Sequence, residues 1–263
     1  MWTVFFSALP ILVLIFALTW VVQRFLLPHN DAGIVDVVWS PSLALTSVYY
    51  AVMLDGDPSR QLLLVAMACI WGFRLGWHVY SDRIVGKPED SRYVQMREEW
   101  GDRVQLWFFL FYQVQAFAAW ILSIGFVIIM SDASVFSWTN PLTLLAIVVF
   151  AASVLGETIA DNQLAAFKRH PANKGQVCRQ GLWAYSRHPN YFFEWIIWIS
   201  YIALGITASL GWITFVPALV ILFFLTRMSG IPNNEAQNLR SKPDAYRQYQ
   251  AEVSPFVPWF PKG

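Results

Sequence analysis

Five ionisable side chains stand inside long apolar runs of this sequence: Asp36, Arg74, Glu157, Asp161 and Glu194. Charged groups at membrane depth are costly, and by default they point to function. Their spacing says more. Glu157 and Asp161 are four residues apart, as are Asn190 and Glu194, so each pair shares one helix face. Two helices can therefore present four hydrogen-bonding side chains to one cavity. Gln113 lies about 10 Å in from the same side at 1.5 Å of rise per residue. All these groups fall in one leaflet, a depth that scattered helix-pairing residues would not need to share. The alternative is that they pair with Arg74 or Arg187 and hold a bundle together.

The stretch Gly181-Leu-Trp-Ala-Tyr-Ser-Arg-His-Pro-Asn-Tyr191 is the most informative. Pro189 suits the first turn of a helix. Arg187 and His188 sit just outside that turn, where backbone N–H groups and the helix dipole favour an anion. An arginine there can fork onto a phosphate or carboxylate. An anionic cofactor could be gripped at the mouth while Asn190 and Glu194 reach its polar parts from below. The simpler reading is a basic interfacial loop that meets anionic lipid headgroups.

The elements that must carry these residues are spanning helices. Of 263 residues, 57% are hydrophobic and only 13% charged. A soluble domain carries about twice that charge. Seven apolar runs approach the roughly 20 residues that a spanning helix needs: 4–27, 34–54, 61–80, 106–130, 141–167, 190–206 and 210–228. Lysines and arginines follow runs one, three, five and seven, whereas the other side has only Arg60. That alternation predicts an all-α integral membrane bundle of seven transmembrane helices, with the N-terminus outside and the C-terminus cytoplasmic. The first run lacks a basic segment before it and a small-residue cleavage site, so it reads as a span rather than a signal peptide. The tail, 229–263, holds a polar helix from about Asn233 to Val253, interrupted at Lys242–Pro243. The chain reads as one domain, 1–263, without internal repeats. Two cysteines, Cys69 in an apolar run and Cys178 in a charged loop, give neither an expected disulfide nor a metal site. No P-loop, HExxH or strand-borne GxGxxG is present.

The segment Gly181–Glu194, reading GLWAYSRHPNYFFE, resembles the C-terminal signature of the steroid 5-alpha-reductase superfamily. The chain is most similar to its bacterial branch, the domain of unknown function 1295. Further pieces agree: Asp36-Val-Val-Trp39; Arg74 followed by Glu89-Asp90-Ser-Arg92-Tyr93; Glu157 with Asp161; and Ser229-Gly-Ile-Pro-Asn-Asn-Glu235 ahead of Tyr246 and Tyr249. The resemblance implies a membrane reductase that takes NADPH from the cytoplasm and sends hydride to a C=C bond conjugated to a carbonyl in a lipid-like substrate. Asp161, Asn190 and Glu194 match the family's cofactor-contacting positions. Lys168, Arg179 and Arg187 are then the phosphate partners, and Arg227, Glu235 and Tyr246 lie where the tail folds back over the cofactor. Glu157, Tyr185 and His188 complete the expected cofactor set. The steroid enzymes polarise the substrate carbonyl with a Glu in the second helix and a Tyr in the third. Here run two offers Asp36 and the third-run position holds Trp71, so Asp36 and Tyr191 are the expected proton donors or polarisers.

Two other readings share these residues. An S-adenosylmethionine-dependent methyltransferase of the isoprenylcysteine type has a similar Arg-His-Pro turn and a similar Glu235, Tyr246, Tyr249 tail. A non-catalytic lipid-binding protein is the second. The expected partners are a lipid-like small molecule and the bilayer, with no nucleic acid, no obligate protein partner and no metal. The expected location is the bacterial inner membrane.

Overall fold

A computed structural model of the protein describes residues 1–27 and 30–262; the last residue of the tail, 263, lies outside the described residues. Among the described residues the regular structure is entirely helical. Eleven α-helices follow one another: α1 Trp2–Phe25, α2 Ile34–Met53, α3 Pro58–Val79, α4 Ser91–Trp100, α5 Val104–Leu122, α6 Ile124–Met130, α7 Pro141–Arg169, α8 Pro189–Gly205, α9 Phe215–Phe223, α10 Ile231–Ser241 and α11 Pro243–Glu252. Among the described residues, five helical stretches are long and apolar enough to cross a membrane: Trp2–Phe25, Pro58–Ile84, Ser91–Met130, Pro141–Arg169 and Gly211–Ser241. This differs from seven for identifiable reasons. Run six forms α8, but with only 17 residues. Run two forms α2, whose apolar character is diluted by hydroxyls. Ser42, Thr46 and Ser47 each donate to a backbone carbonyl within their own helix, and Ser40 donates to Gly72 O at 2.9 Å.

The chain divides into two compact units. The first comprises Met1–Phe136 and Gly205–Thr214. Its α2 and α3 approach closely because α3 carries two glycines one turn apart. A Cβ at Gly72 would lie 2.6 Å from Ser40 O, and one at Gly76 would lie 2.7 Å from Pro41 Cγ. Small residues at this spacing let helix backbones meet where lipid offers no hydrophobic drive. Gly72→Leu should therefore separate α2 from α3 and cost about 1–3 kcal/mol or more from overpacking. Thermal unfolding in detergent checks this, with Ile70→Leu on the exposed side of α3 as the neutral control. α1 and α5 are joined differently. The Trp120 ring stacks on Phe5 at 4.5 Å, and its Nε1 donates to Phe5 O at 2.8 Å.

The second unit comprises Ser137–Leu204 and Phe215–Gly263. Gly156 on α7 lies under the Phe193 ring of α8, where a Cβ would come within 2.5 Å of Cε1. Between these helices the connection returns to α7. Trp183 Nε1 donates to Ala160 O at 2.9 Å, and Leu182 N donates to Gln163 Oε1 at 2.9 Å. Gly181, at φ 57°, makes the left-handed turn this return needs. The tail helices α10 and α11 meet at Lys242–Pro243. The chain beyond α11 is pinned by backbone bonds from Arg187 N to Ser254 O (2.8 Å), Trp259 N to Tyr185 O (2.9 Å) and Lys262 N to Glu252 O (2.9 Å).

Candidate functional site

The second unit collects most of the candidate residues. Glu157 and Asp161 lie one turn apart in the C-terminal half of α7, and both are buried, at 3% and 5% exposure. Pro189 opens α8, which places Asn190 in its first turn and Glu194 a turn later. Asn190 Nδ2 donates to Asp161 Oδ1 at 3.2 Å, so the first turn of α8 is tied to α7. The Asn190 Oδ1 atom is buried and has no hydrogen-bond partner. Glu194 is buried too, and its Oε1 accepts from Trp198 Nε1 at 3.0 Å. The seam between α7 and α8 thus offers carboxylate and amide oxygens in an otherwise apolar setting.

At the start of α8 the arrangement is a knot rather than an open anion cradle. Arg187 Nε donates to Glu235 Oε1 at 2.7 Å, and Nη1 donates to Gln250 O (3.0 Å) and Val253 O (2.6 Å). Its guanidinium, 9% exposed, is committed to the tail. Glu235 also accepts from Gln250 Nε2 at 2.7 Å and faces His188 Nε2 at 3.4 Å. Ser186 Oγ accepts from His188 N and donates to Phe256 O. Tyr191 lies flat on the His188 ring, with centroids 5.3 Å apart and planes 7° off parallel.

The hydroxyl of Tyr246 is pushed up by burial and by the Glu235 charge, so it stays protonated. Burial pushes His188 below its ordinary 6.5, against the opposing pull of Glu235. The folded protein therefore holds fewer protons at this group than the unfolded chain does. The corresponding stability is complete above pH 6.5 and is lost as pH falls through the lower folded value. The melting temperature should drop between pH 7 and pH 5, and His188→Gln should flatten that drop.

The other expected cofactor residues are placed apart from this seam. Arg179 Nη1 pairs with Glu252, and its guanidinium lies over the Tyr249 ring at 5.3 Å. Tyr185 is 43% exposed, with its ring edge against Phe260. Lys168, in the last turn of α7, and Arg227, in the π-helical turn Phe224–Met228, are exposed. Lys242 was not expected from the sequence. Its amine is pushed down by burial and then by the charge of Lys168, which lies in the last turn of α7. Gln250 and Trp198 were also missed. Both act through hydrogen bonds to a carboxylate on another turn or element, which no local motif marks.

Asp36 belongs to the first unit. Its Oδ1 accepts from Tyr93 Oη at 2.9 Å and its Oδ2 from Arg92 Nη2 at 3.0 Å, with Arg83 Nη1 at 3.8 Å. Arg92 is held in turn by Asp90, the N-cap of α4. Nearby, Glu89 accepts from Arg97 and from Ala32 N. Asp36 thus anchors the short helix α4 to the start of α2.

Helices of spanning length together with a buried carboxylate–amide seam define a multi-pass membrane protein with a polar site built between its helices. The chain matches the family model described as protein of unknown function (DUF1295) over residues 19–253, and it belongs to that family, a steroid 5-alpha-reductase-like group. It is also 35% identical over 66 residues to a protein of Ustilaginoidea virens named probable O-methyltransferase ustE. That stretch is 25% of this chain and 23% of the relative. No solved structure matches the chain.

Proposed function

We propose that this protein is an NADPH-dependent reductase of the bacterial inner membrane, acting on a conjugated C=C bond of a lipid-like substrate. In this reading seven helices cross the bilayer, α2 and α8 among them. The N-terminus is outside and the Lys- and Arg-rich loops are cytoplasmic. One observation carries the reading: Asn190 bridges to Asp161 while keeping a buried, unpartnered carbonyl oxygen, one turn from Glu194. A buried acceptor without a donor costs about 1–3 kcal/mol. An amide N–H of a ligand, such as a nicotinamide carboxamide, removes that cost. The residues present fit the group: Asp161, Asn190, Glu194 and Glu157 would hold its nicotinamide and ribose. Lys168 and Lys242 would face phosphate, since Arg179 and Arg187 are already paired within the chain.

Bound NADPH would supply the hydride; the protein must orient it and exclude water. The residues of the α7–α8 seam do the orienting. The tail, fixed through Arg187 and Glu235, does the closing. Tyr191 is the better placed of the two expected proton donors. Its ring is held flat by His188 next to Asn190, whereas Asp36 is engaged with Tyr93 and Arg92 in the other unit.

A second reading has its own support. The relative named as an O-methyltransferase favours S-adenosylmethionine as the cofactor, and the Arg187, Glu235, Tyr246 knot is compatible with it. Thermal unfolding separates the two. A ligand at a hundredfold excess over its Kd stabilises the folded state by about 2.7 kcal/mol. NADPH should raise the melting temperature by several degrees and S-adenosylmethionine should not; the reverse result would transfer the assignment to the methyltransferase.

A further inference from the structure

From Val253 to Lys262 the chain has no regular structure, yet it is held by backbone hydrogen bonds and presents large apolar side chains outward. Trp259 is 70% exposed, Phe260 76% and Val257 51%. From Val253 to Pro261 no residue is charged; Lys262 follows. Three prolines, Pro255, Pro258 and Pro261, keep the segment extended.

Its height along the bundle is set by one residue that points the other way. The Phe256 ring packs against Phe192 (5.8 Å) and Trp195 (5.9 Å) on α8. Trp195 lies six residues into α8, roughly 9 Å along its axis at 1.5 Å per residue. The strap therefore runs beside the first two turns of a helix read as a span. In a spanning helix that level meets the boundary between headgroups and acyl chains, where tryptophan and tyrosine gather. Tyr185, half exposed, stands in the same patch with its ring edge against Phe260 at 6.0 Å. The lysine at the end can reach anionic headgroups.

We propose that Val257, Trp259 and Phe260, with Tyr185 and Lys262, form an interfacial anchor that seats the C-terminal strap in the lipid headgroup region. The occupant of this patch is the phospholipid surface. The inference rests on α8 being a span. It adds that the lid over the α7–α8 seam is held by the bilayer as well as by Arg187 and Glu235.

Depth measurement by nitroxide labelling tests it. In a Cys69→Ser, Cys178→Ser background, Phe260→Cys is labelled and reconstituted in phosphatidylcholine–phosphatidylglycerol vesicles. Val257→Cys serves if that variant does not fold. Two references are labelled in parallel: Val148→Cys on the exposed side of α7 and Asp244→Cys on α11, whose side chain is 98% exposed. The ratio of oxygen to nickel-chelate collision should be severalfold higher at 260 than at 244, and should approach that at 148. A ratio at 260 equal to that at 244, with 148 still lipid-like, overturns the anchor and leaves the spanning reading intact. Water-like ratios at both 260 and 148 overturn both. Spin–spin broadening at 260 would mean that a second copy covers the patch, and would also overturn the anchor.

Discussion

Replacing Asn190 by Ala should weaken NADPH binding by about ten- to a hundredfold while the protein stays folded. The amide has one partner inside the chain, Asp161 at 3.2 Å, and one buried oxygen with none. Losing the first changes the packing of α7 and α8 slightly. Losing the second leaves the ligand's amide N–H without an acceptor in a water-poor seam, which costs about 1–3 kcal/mol, and each 1.4 kcal/mol is tenfold in affinity. Glu194→Gln keeps shape and volume and replaces the carboxyl group by an amide, so it should give a similar loss with an unchanged melting temperature. Calorimetric titration of the purified variants reads both numbers. If Asn190→Ala binds NADPH as wild type does, the seam is structural and the non-catalytic reading gains.

The largest stability effect is expected at Arg187. Removing its guanidinium leaves the half-buried Glu235 without its main donor, and strips the carbonyls of Gln250 and Val253 of theirs. Breaking a buried pair from one side costs about 3–5 kcal/mol. Arg187→Met should therefore lower the melting temperature sharply and expose the tail to protease. Arg187→Lys keeps the charge but not the fork, and should recover only part of the loss. The double variant Arg187→Met, Glu235→Leu should lose less than the sum of the single changes, because no unpaired carboxylate remains. Equal and additive losses would mean that the two residues do not act as a pair.

What could be read from the sequence follows from which interactions are local. Apolar runs report helices directly, and the all-helical class follows from them. Spacings of four report a shared face, which brings Glu157 with Asp161 and Asn190 with Glu194. Pro189 reports the start of α8. The role of Arg187 was not legible. Its position suggests a phosphate fork, but its partner comes from 48 residues downstream, and nothing in the spacing records that return. Asp36 is similar. A carboxylate near the start of an apolar run suggests chemistry, whereas its partners Tyr93 and Arg92 come from 57 and 56 residues away. The span count differs, seven expected against five helices long and apolar enough among the described residues, because of composition and length. Hydroxyls that bond their own backbone make α2 polar by sequence without exposing a polar group, and α8 is simply short.

In the proposed reading the seam between α7 and α8 holds a nicotinamide cofactor. The most direct measurement is an experimental structure of the protein incubated with NADPH. The expected result is density for an adenine dinucleotide, with its nicotinamide against Asn190 and Glu194 and its phosphates toward Lys168 and Lys242. S-adenosylmethionine carried through purification, or a lipid acyl chain, occupying that seam in the presence of NADPH would contradict it.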